Sequence, residues 1–352
     1  MISREKYVPI LKGKKGEFTA LEKLPNGIKD AIIPVIDVVT LPGKSIDEIV
    51  ESVIGYFDSW EKERLCYIDC YMIDDEGLLD NGTHPAKHLI ESLLAKEFNV
   101  LPVFNNVLSS EHKQVIKEVA EEIDRGTGLR IYDTTVEGIN NKIEESLSFL
   151  NLVPEQIDLI IDLRSLIDAD VQSKIEFVKE LFDNLRYLSR WRSVVLSGGN
   201  FPLNLTKITA NTVKAIPRKI WEIWKEVTNN QRINSPTFSD YCISHIEIEK
   251  LRTKYPNASA SIRYTQHENF YIYRGRGTQQ YKYPQFFDIS EALINGSHYF
   301  GKEHCKGCEF IYKCGTEKKK PGSLTTWRWV GTVHHITVIV NQLRQFFRDL
   351  SA

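Results

Sequence analysis

The chain has 352 residues, 42% of them apolar or aromatic, and a formal net charge of −2. That length suits one large domain or two ordinary ones with a sizeable core. The near-neutral balance excludes a partner selected by bulk charge, and no apolar run reaches the ~18 residues a membrane span needs.

The opening "MISREKYVPIL" lacks the long apolar stretch of a secretory signal. A cytoplasmic protein with reduced thiols is therefore expected. Eight short β-rich runs then recur, at 7–11, 32–38, 65–70, 100–105, 129–133, 159–163, 193–196 and 238–242. Helical periodicity fills the gaps. "SIDEIVESVIGYF" puts Ile46, Ile49, Val50, Val53 and Ile54 on one face, and "SSEHKQVIKEVAEEI" opens on a serine cap. Runs such as "AIIPVIDVV" and "IDLIID" are continuously apolar, as parallel strands covered on both faces require. Eight such strand–helix units predict a (β/α)8, TIM-like barrel over 1–242. An open doubly wound sheet is the rival. It needs a glycine-rich phosphate turn after its first strand, and "LKGKKGEF" lacks the spacing.

Past residue 242 the rhythm changes. "SASIRYT" and "NFYIYRGRG", joined by "QHE", predict a hairpin. A cysteine-rich segment follows, so 243–324 reads as an insertion over the barrel mouth. A final helix from about 325 to 349 carries Trp329, Val333, Ile336, Val340, Leu343 and Phe347 as one stripe that packs on the barrel. From Arg263 onward 13 Lys and Arg stand against 7 Asp and Glu, a mildly basic quarter that suits an anionic ligand without requiring one.

Barrel ligands bind at the carboxyl ends of the strands. The predicted strands end on or near Lys12, Asp37, Asp69, Asn105, Asp133, Asp162, Ser197 and Asp240. Converging carboxylates repel unless protonated, paired with cations or bound to a metal, and Mg2+ suits such oxygen donors. Helix capping in the βα loops is the plainer role for any one of them. Asp37, Asp69 and Asp162 are the expected metal ligands or bases. Arg263 and Arg274 on the hairpin, Arg328 on the last helix and Lys12 are expected to hold phosphate. His335, seven residues after Arg328, would be the acid, or a packing histidine. His334 and His335 are adjacent on a helix, so at most one can face a given site. "LSGGNFP", with Ser197 and Gly198, is either an anion nest or a tight turn.

"HCKGCEFIYKC" groups Cys305, Cys308 and Cys314 beside His304, with His298 just upstream. A third cysteine and a histidine would complete a structural Zn2+ site. An auxiliary iron–sulfur segment and ordinary packing are the other readings. Cys66, Cys70 and Cys242 lie in apolar runs and read as core.

"YVPILKGKKGEFTALEKL", "IIPVID", "LSGGNFP", "FSDY", "IRYT", "YRGRG" and "WRWVGTVHHI", in that order, resemble the phage beta-protein family over nearly the whole chain. The resemblance implies a phage- or prophage-linked bacterial protein, tied to anti-phage defence or to suppressing a neighbouring gene's toxic product. It implies no reaction and no catalytic residues. Two functions are thus expected. One is a barrel that binds a phosphorylated or nucleotide-like ligand, in its sharpest form a metal-dependent phosphoester hydrolase. The other is a non-catalytic scaffold that sequesters a toxic or phage protein, a partner from a neighbouring gene. Direct DNA binding ranks below both, because no motif or strongly basic helix supports it.

Overall fold

The computed structural model describes residues 2–132, 135–229, 235–247 and 257–351. Eight parallel strands close into a barrel: β1 (Tyr7–Lys12), β2 (Val35–Asp37), β3 (Cys66–Asp69), β4 (Val100–Asn105), β5 (Thr127–Ile131), β6 (Ile157–Ser165), β7 (Ser193–Gly199) and β9 (Thr237–Asp240). β9 pairs with both β7 and β1, which removes the last free edge. All eight predicted runs are barrel strands, with ends shifted by a few residues; Asp133 falls outside the described residues.

Strand alternation sorts the side chains into two cores. Val8, Ile10, Val35, Leu101, Val103, Ile160 and Val195 point inward and fill the barrel. Leu11, Ile36, Ile68, Phe104, Leu129, Leu159, Leu196 and Phe238 point outward and meet the helices. The first long helix, Ile46–Tyr56, starts at a capping box in which Ser45 and Glu48 exchange bonds. Ser109 caps the helix Ser110–Ile123 by accepting from the His112 amide.

The hairpin forms as expected from β10 (Ser259–Thr265) and β11 (Asn269–Gly277). It is not alone. β8 (Thr212–Pro217), from the loop after β7, pairs antiparallel with the other side of β11. The insertion therefore draws on chain from both sides of the eighth barrel strand, and 242 is not a clean boundary. The reason is that β11 would otherwise present an unpaired edge.

The last helix, Leu324–Ser351, covers β1 with the predicted stripe: Val333, Ile336, Val340, Leu343 and Phe347 are buried, and Trp329 packs on them. No helix among the described residues is long and apolar enough to cross a membrane.

Candidate functional site: a closed ion cluster and an open arginine pocket

Inward-pointing residues at the carboxyl ends of the strands form one cluster. Arg130 of β5 sits at its centre, 1% exposed. Its Nη1 donates to Asp37 Oδ1 and Asp69 Oδ2, both at 2.8 Å. Its Nε and Nη2 fork onto Asp162 Oδ2 at 3.0 and 2.8 Å. Lys12 Nζ donates to the second oxygen of Asp37 at 2.8 Å. The backbone amides of Tyr71 and Arg164 donate to the remaining oxygens of Asp69 and Asp162. Tyr241 closes the cluster from above, its hydroxyl 2.5 Å from Asp162.

The acids thus converge as the strand ends predict, but the chain supplies its own cations. Every oxygen of Asp37, Asp69 and Asp162 accepts a hydrogen bond from the protein. Lys12 and Arg130 thus supply the positive charge for which Mg2+ was expected, and the three aspartates lie buried in ion pairs. Burial works against ionisation of Asp37, yet Lys12 and then Arg130 hold its pKa below the usual range. Asp69 goes the other way: burial raises it, and the nearby Asp37 charge adds to that against Arg130. Burial lowers Lys12, with Asp37 opposing.

His335 is not in this cluster. It faces the outside of the barrel, where Nε2 lies 3.1 Å from Asp240 Oδ2 and 3.2 Å from the Tyr7 hydroxyl, and Nδ1 lies 2.9 Å from Thr265 Oγ1. Asp240 has the outward parity on its strand and so never reaches the mouth. Both residues are sealed beneath the final helix, and His335 joins that helix to β1, β9 and β10. The expected acid is a packing histidine. Its neighbour His334, about 100° around the helix, points to Cys308 and the Thr265 carbonyl instead.

Ser197 and Gly198 form no anion nest. Both belong to β7: Ser197 pairs with Asp162 of β6, and Gly198 lies at the register shift before Gly199 pairs with Ser165. Ser197 Oγ accepts from Ser239 Oγ inside the barrel. A Cβ on Gly198 would lie 3.1 Å from Leu166 and 3.3 Å from Ile220, so the glycine serves close strand–helix packing.

Arg263, Arg274 and Arg328 do come together, though not over the acids. They line a pocket of about 400 Å³ with Asn204, Thr206, Ser259, Ser261 and Trp327. Register explains the first two: Arg274 lies opposite Ser261, two residues from Arg263 and on the same face of the sheet. Arg263 Nη1 donates to the Ile243 carbonyl at 2.7 Å, and its guanidinium lies 4.7 Å over the Phe201 ring. Arg328 reaches Ser244 Oγ at 2.8 Å and Glu17 at 3.5 Å. Among the described residues, Arg263 and Arg274 have no carboxylate partner. Burial pushes the Arg263 guanidinium pKa down, and the adjacent Arg328 charge adds to that. The pocket lies across the 241–247 segment from the ion cluster. A larger groove of about 920 Å³ opens at the far end, by Lys6, Asp30, Arg344 and Arg348, but that is the amino-terminal face of the barrel.

The cysteine segment splits. Cys305 and Cys308 meet His334, with all three ligand atoms within 4.8 Å of one another. Cys314 takes no part. On the helix Lys306–Glu317 it lies six residues beyond Cys308, about 9 Å along the axis and well around it, and its sulfur points to the Phe286 carbonyl. His304 stacks on Phe300, and His298 stacks on Tyr271. Cys66, Cys70 and Cys242 are buried, as read.

Sequence reasoning did not single out Arg130 or Tyr241, and it weighed His334 without linking it to the cysteines. For Arg130 a signal was present: a cation inside a strand covered on both faces demands counter-charges.

Fold and sites together define a (β/α)8-barrel protein with a plugged mouth and a lateral arginine pocket. The chain belongs to the Beta protein family, whose model matches residues 7–341. No curated protein matches it. Among solved structures it is similar to 3-keto-L-gulonate-6-phosphate decarboxylase from Vibrio cholerae O1 biovar El Tor, at 11% identity and TM-score 0.37, over 68% of this chain and 90% of that one. Triosephosphate isomerase from Bartonella henselae gives 12% and 0.34, over 66% and 90%. A mutant tryptophan synthase alpha-subunit from Pyrococcus furiosus gives 11% and 0.38, over 68% and 88%.

Proposed function

We propose that the protein binds a phosphorylated or nucleotide-like anion in the pocket lined by Arg263, Arg274 and Arg328. One observation carries this reading: Arg263 is half-buried beside a second cation, Arg328, with no carboxylate in an ion pair with it among the described residues. Two like charges held partly out of water repel, and an anion in the pocket would relieve the repulsion. Guanidinium forks suit phosphate oxygens, and Asn204, Thr206 and Ser261 offer polar groups for the rest of a ligand. Glu17 pairs with Arg328 at 3.5 Å, and its charge also acts on Arg263 without forming an ion pair with it.

The same geometry favours binding over hydrolysis at the barrel mouth, because the three aspartates are buried and paired with Arg130 and Lys12 or bonded to backbone amides. Membership of the family supports a phage-linked role, with the bound anion as the signal sensed or withheld.

Calorimetric titration with inorganic phosphate, mononucleotides and dinucleotides tests the pocket. Binding is expected to weaken at least about tenfold in Arg263→Ala and in Arg274→Ala, from the loss of charge-assisted hydrogen bonds. Phage plating on cells carrying either variant should lose any protection the wild type gives. Absence of anion binding by the wild type, or wild-type affinity in both variants, removes the reading.

A further inference from the structure

Two thiols and an imidazole meet where the insertion docks on the final helix. Cys305 is the N-cap of the helix Lys306–Glu317, and its Sγ accepts from the Cys308 amide at 3.3 Å. That turn brings both sulfurs to one end of the helix. His334 Nδ1 lies 3.3 Å from Cys308 Sγ and 3.9 Å from Cys305 Sγ. Tetrahedral zinc, with bonds of about 2.3 Å to sulfur and about 2.0 Å to nitrogen, would hold S and N about 3.5 Å apart. The two observed separations bracket that value.

The tautomer of His334 is fixed from behind. Its Nε2 lies 2.7 Å from the Thr265 carbonyl, an acceptor only, so Nε2 carries the proton. Nδ1 therefore presents a lone pair to the sulfurs. A ligating histidine anchored through its other nitrogen to a carbonyl is the usual outer arrangement of a metal centre. Gly307, inside the Cys-x-x-Cys turn, is equally constrained. A Cβ there would lie 2.3 Å from the Val330 carbonyl, so only glycine lets the turn close onto the helix that carries His334. A further donor stands close by: His304 Nε2 is buried without a hydrogen-bond partner, and its ring centre is 5.4 Å from that of His334.

We propose that Cys305, Cys308 and His334 bind a thiophilic divalent cation of the zinc class, with His304 the nearby candidate for the fourth position. The ion clamps three pieces of chain that are distant in sequence: β10 through Thr265, the cysteine helix and the final helix. It would thereby hold Trp327 and Arg328, one helical stretch earlier, as a wall of the arginine pocket. Binding releases the thiol protons of Cys305 and Cys308 to solvent and changes no oxidation state.

The full chain, purified without a chelator or a metal-affinity step, is expected to contain one zinc per molecule by elemental analysis. The chelator-stripped protein is expected to take up Co2+ with sulfur-to-cobalt charge-transfer absorption and the visible bands of a tetrahedral site. Cys305→Ser and His334→Gln should abolish that spectrum, His304→Ala should weaken cobalt affinity, and Cys314→Ser should leave it intact. Stripping should lower the wild-type Tm by several degrees and zinc should restore it, a readout that does not depend on variants folding. Failure of the reduced wild type to bind cobalt overturns the site. So does equal loss in Cys314→Ser, or a reversible Cys305–Cys308 disulfide in a protein that takes up no metal. None of these readouts depends on anion binding.

Discussion

Lys12 and Arg263 grip the same short segment from opposite sides. The Lys12 ammonium, inside the barrel, donates to the Ile246 carbonyl at 2.6 Å; Arg263, in the lateral pocket, donates to the Ile243 carbonyl at 2.7 Å. The segment 241–247 therefore links the closed cluster to an arginine that lines the open pocket, and Tyr241 anchors it in the cluster through Arg130 and Asp162.

Lys12→Met removes both the Asp37 ion pair and the Ile246 bond. Breaking a buried pair of this kind costs about 3–5 kcal/mol. Faster amide hydrogen exchange is expected in 243–247, together with weaker anion binding through the Ile243 carbonyl that holds Arg263. Unchanged exchange in that segment would show that the lysine does not hold it.

Arg130→Met should be more damaging. It leaves Asp37 with Lys12 alone, and Asp69 and Asp162 with no buried cation directly paired to them. A loss of at least about 3–5 kcal/mol in urea unfolding is expected, and Arg130→Lys should recover only part of it, because an ammonium cannot fork onto three carboxylates. Full recovery by lysine would mean that charge alone, without geometry, holds the mouth.

Acid should destabilise the fold in two stages. Burial lowers the His335 pKa, against the opposing pull of Asp240, so the unfolded chain takes up that proton more readily than the folded one. The stability this contributes is full above the unfolded value of about 6.5 and is lost as pH falls through the folded value. Asp37 and Asp240 are also held below their ordinary values, so their contributions fade below pH ~4. Thermal melts from pH 8 to 3 should show both losses. His335→Gln should start less stable and lose less between pH 6.5 and 5. An identical slope in that window would exclude His335 as the titrating group.

Much of this architecture is written locally. The apolar runs of "IIPVID" and "IDLIID", separated by amphipathic helices, predict parallel strands covered on both faces, and eight of them close on themselves. The stripe on the last helix likewise finds the surface its periodicity implies. The parity of a strand residue was harder to read. Asp240 ends a strand as Asp37 and Asp69 do, yet it points outward to His335, because one residue of offset sends a side chain to the other face.

The sequence by itself determined the barrel, the hairpin, the covering helix and the set of charged residues that must find partners, because period and burial act over a few neighbouring positions. Only the tertiary structure decided which partners those were. Arg130 is 32 residues from Asp162 and 93 from Asp37, and His334 is 26 from Cys308. Pairing across such separations depends on which faces the closed barrel turns inward and how the insertion docks, and no local pattern in the chain carries that.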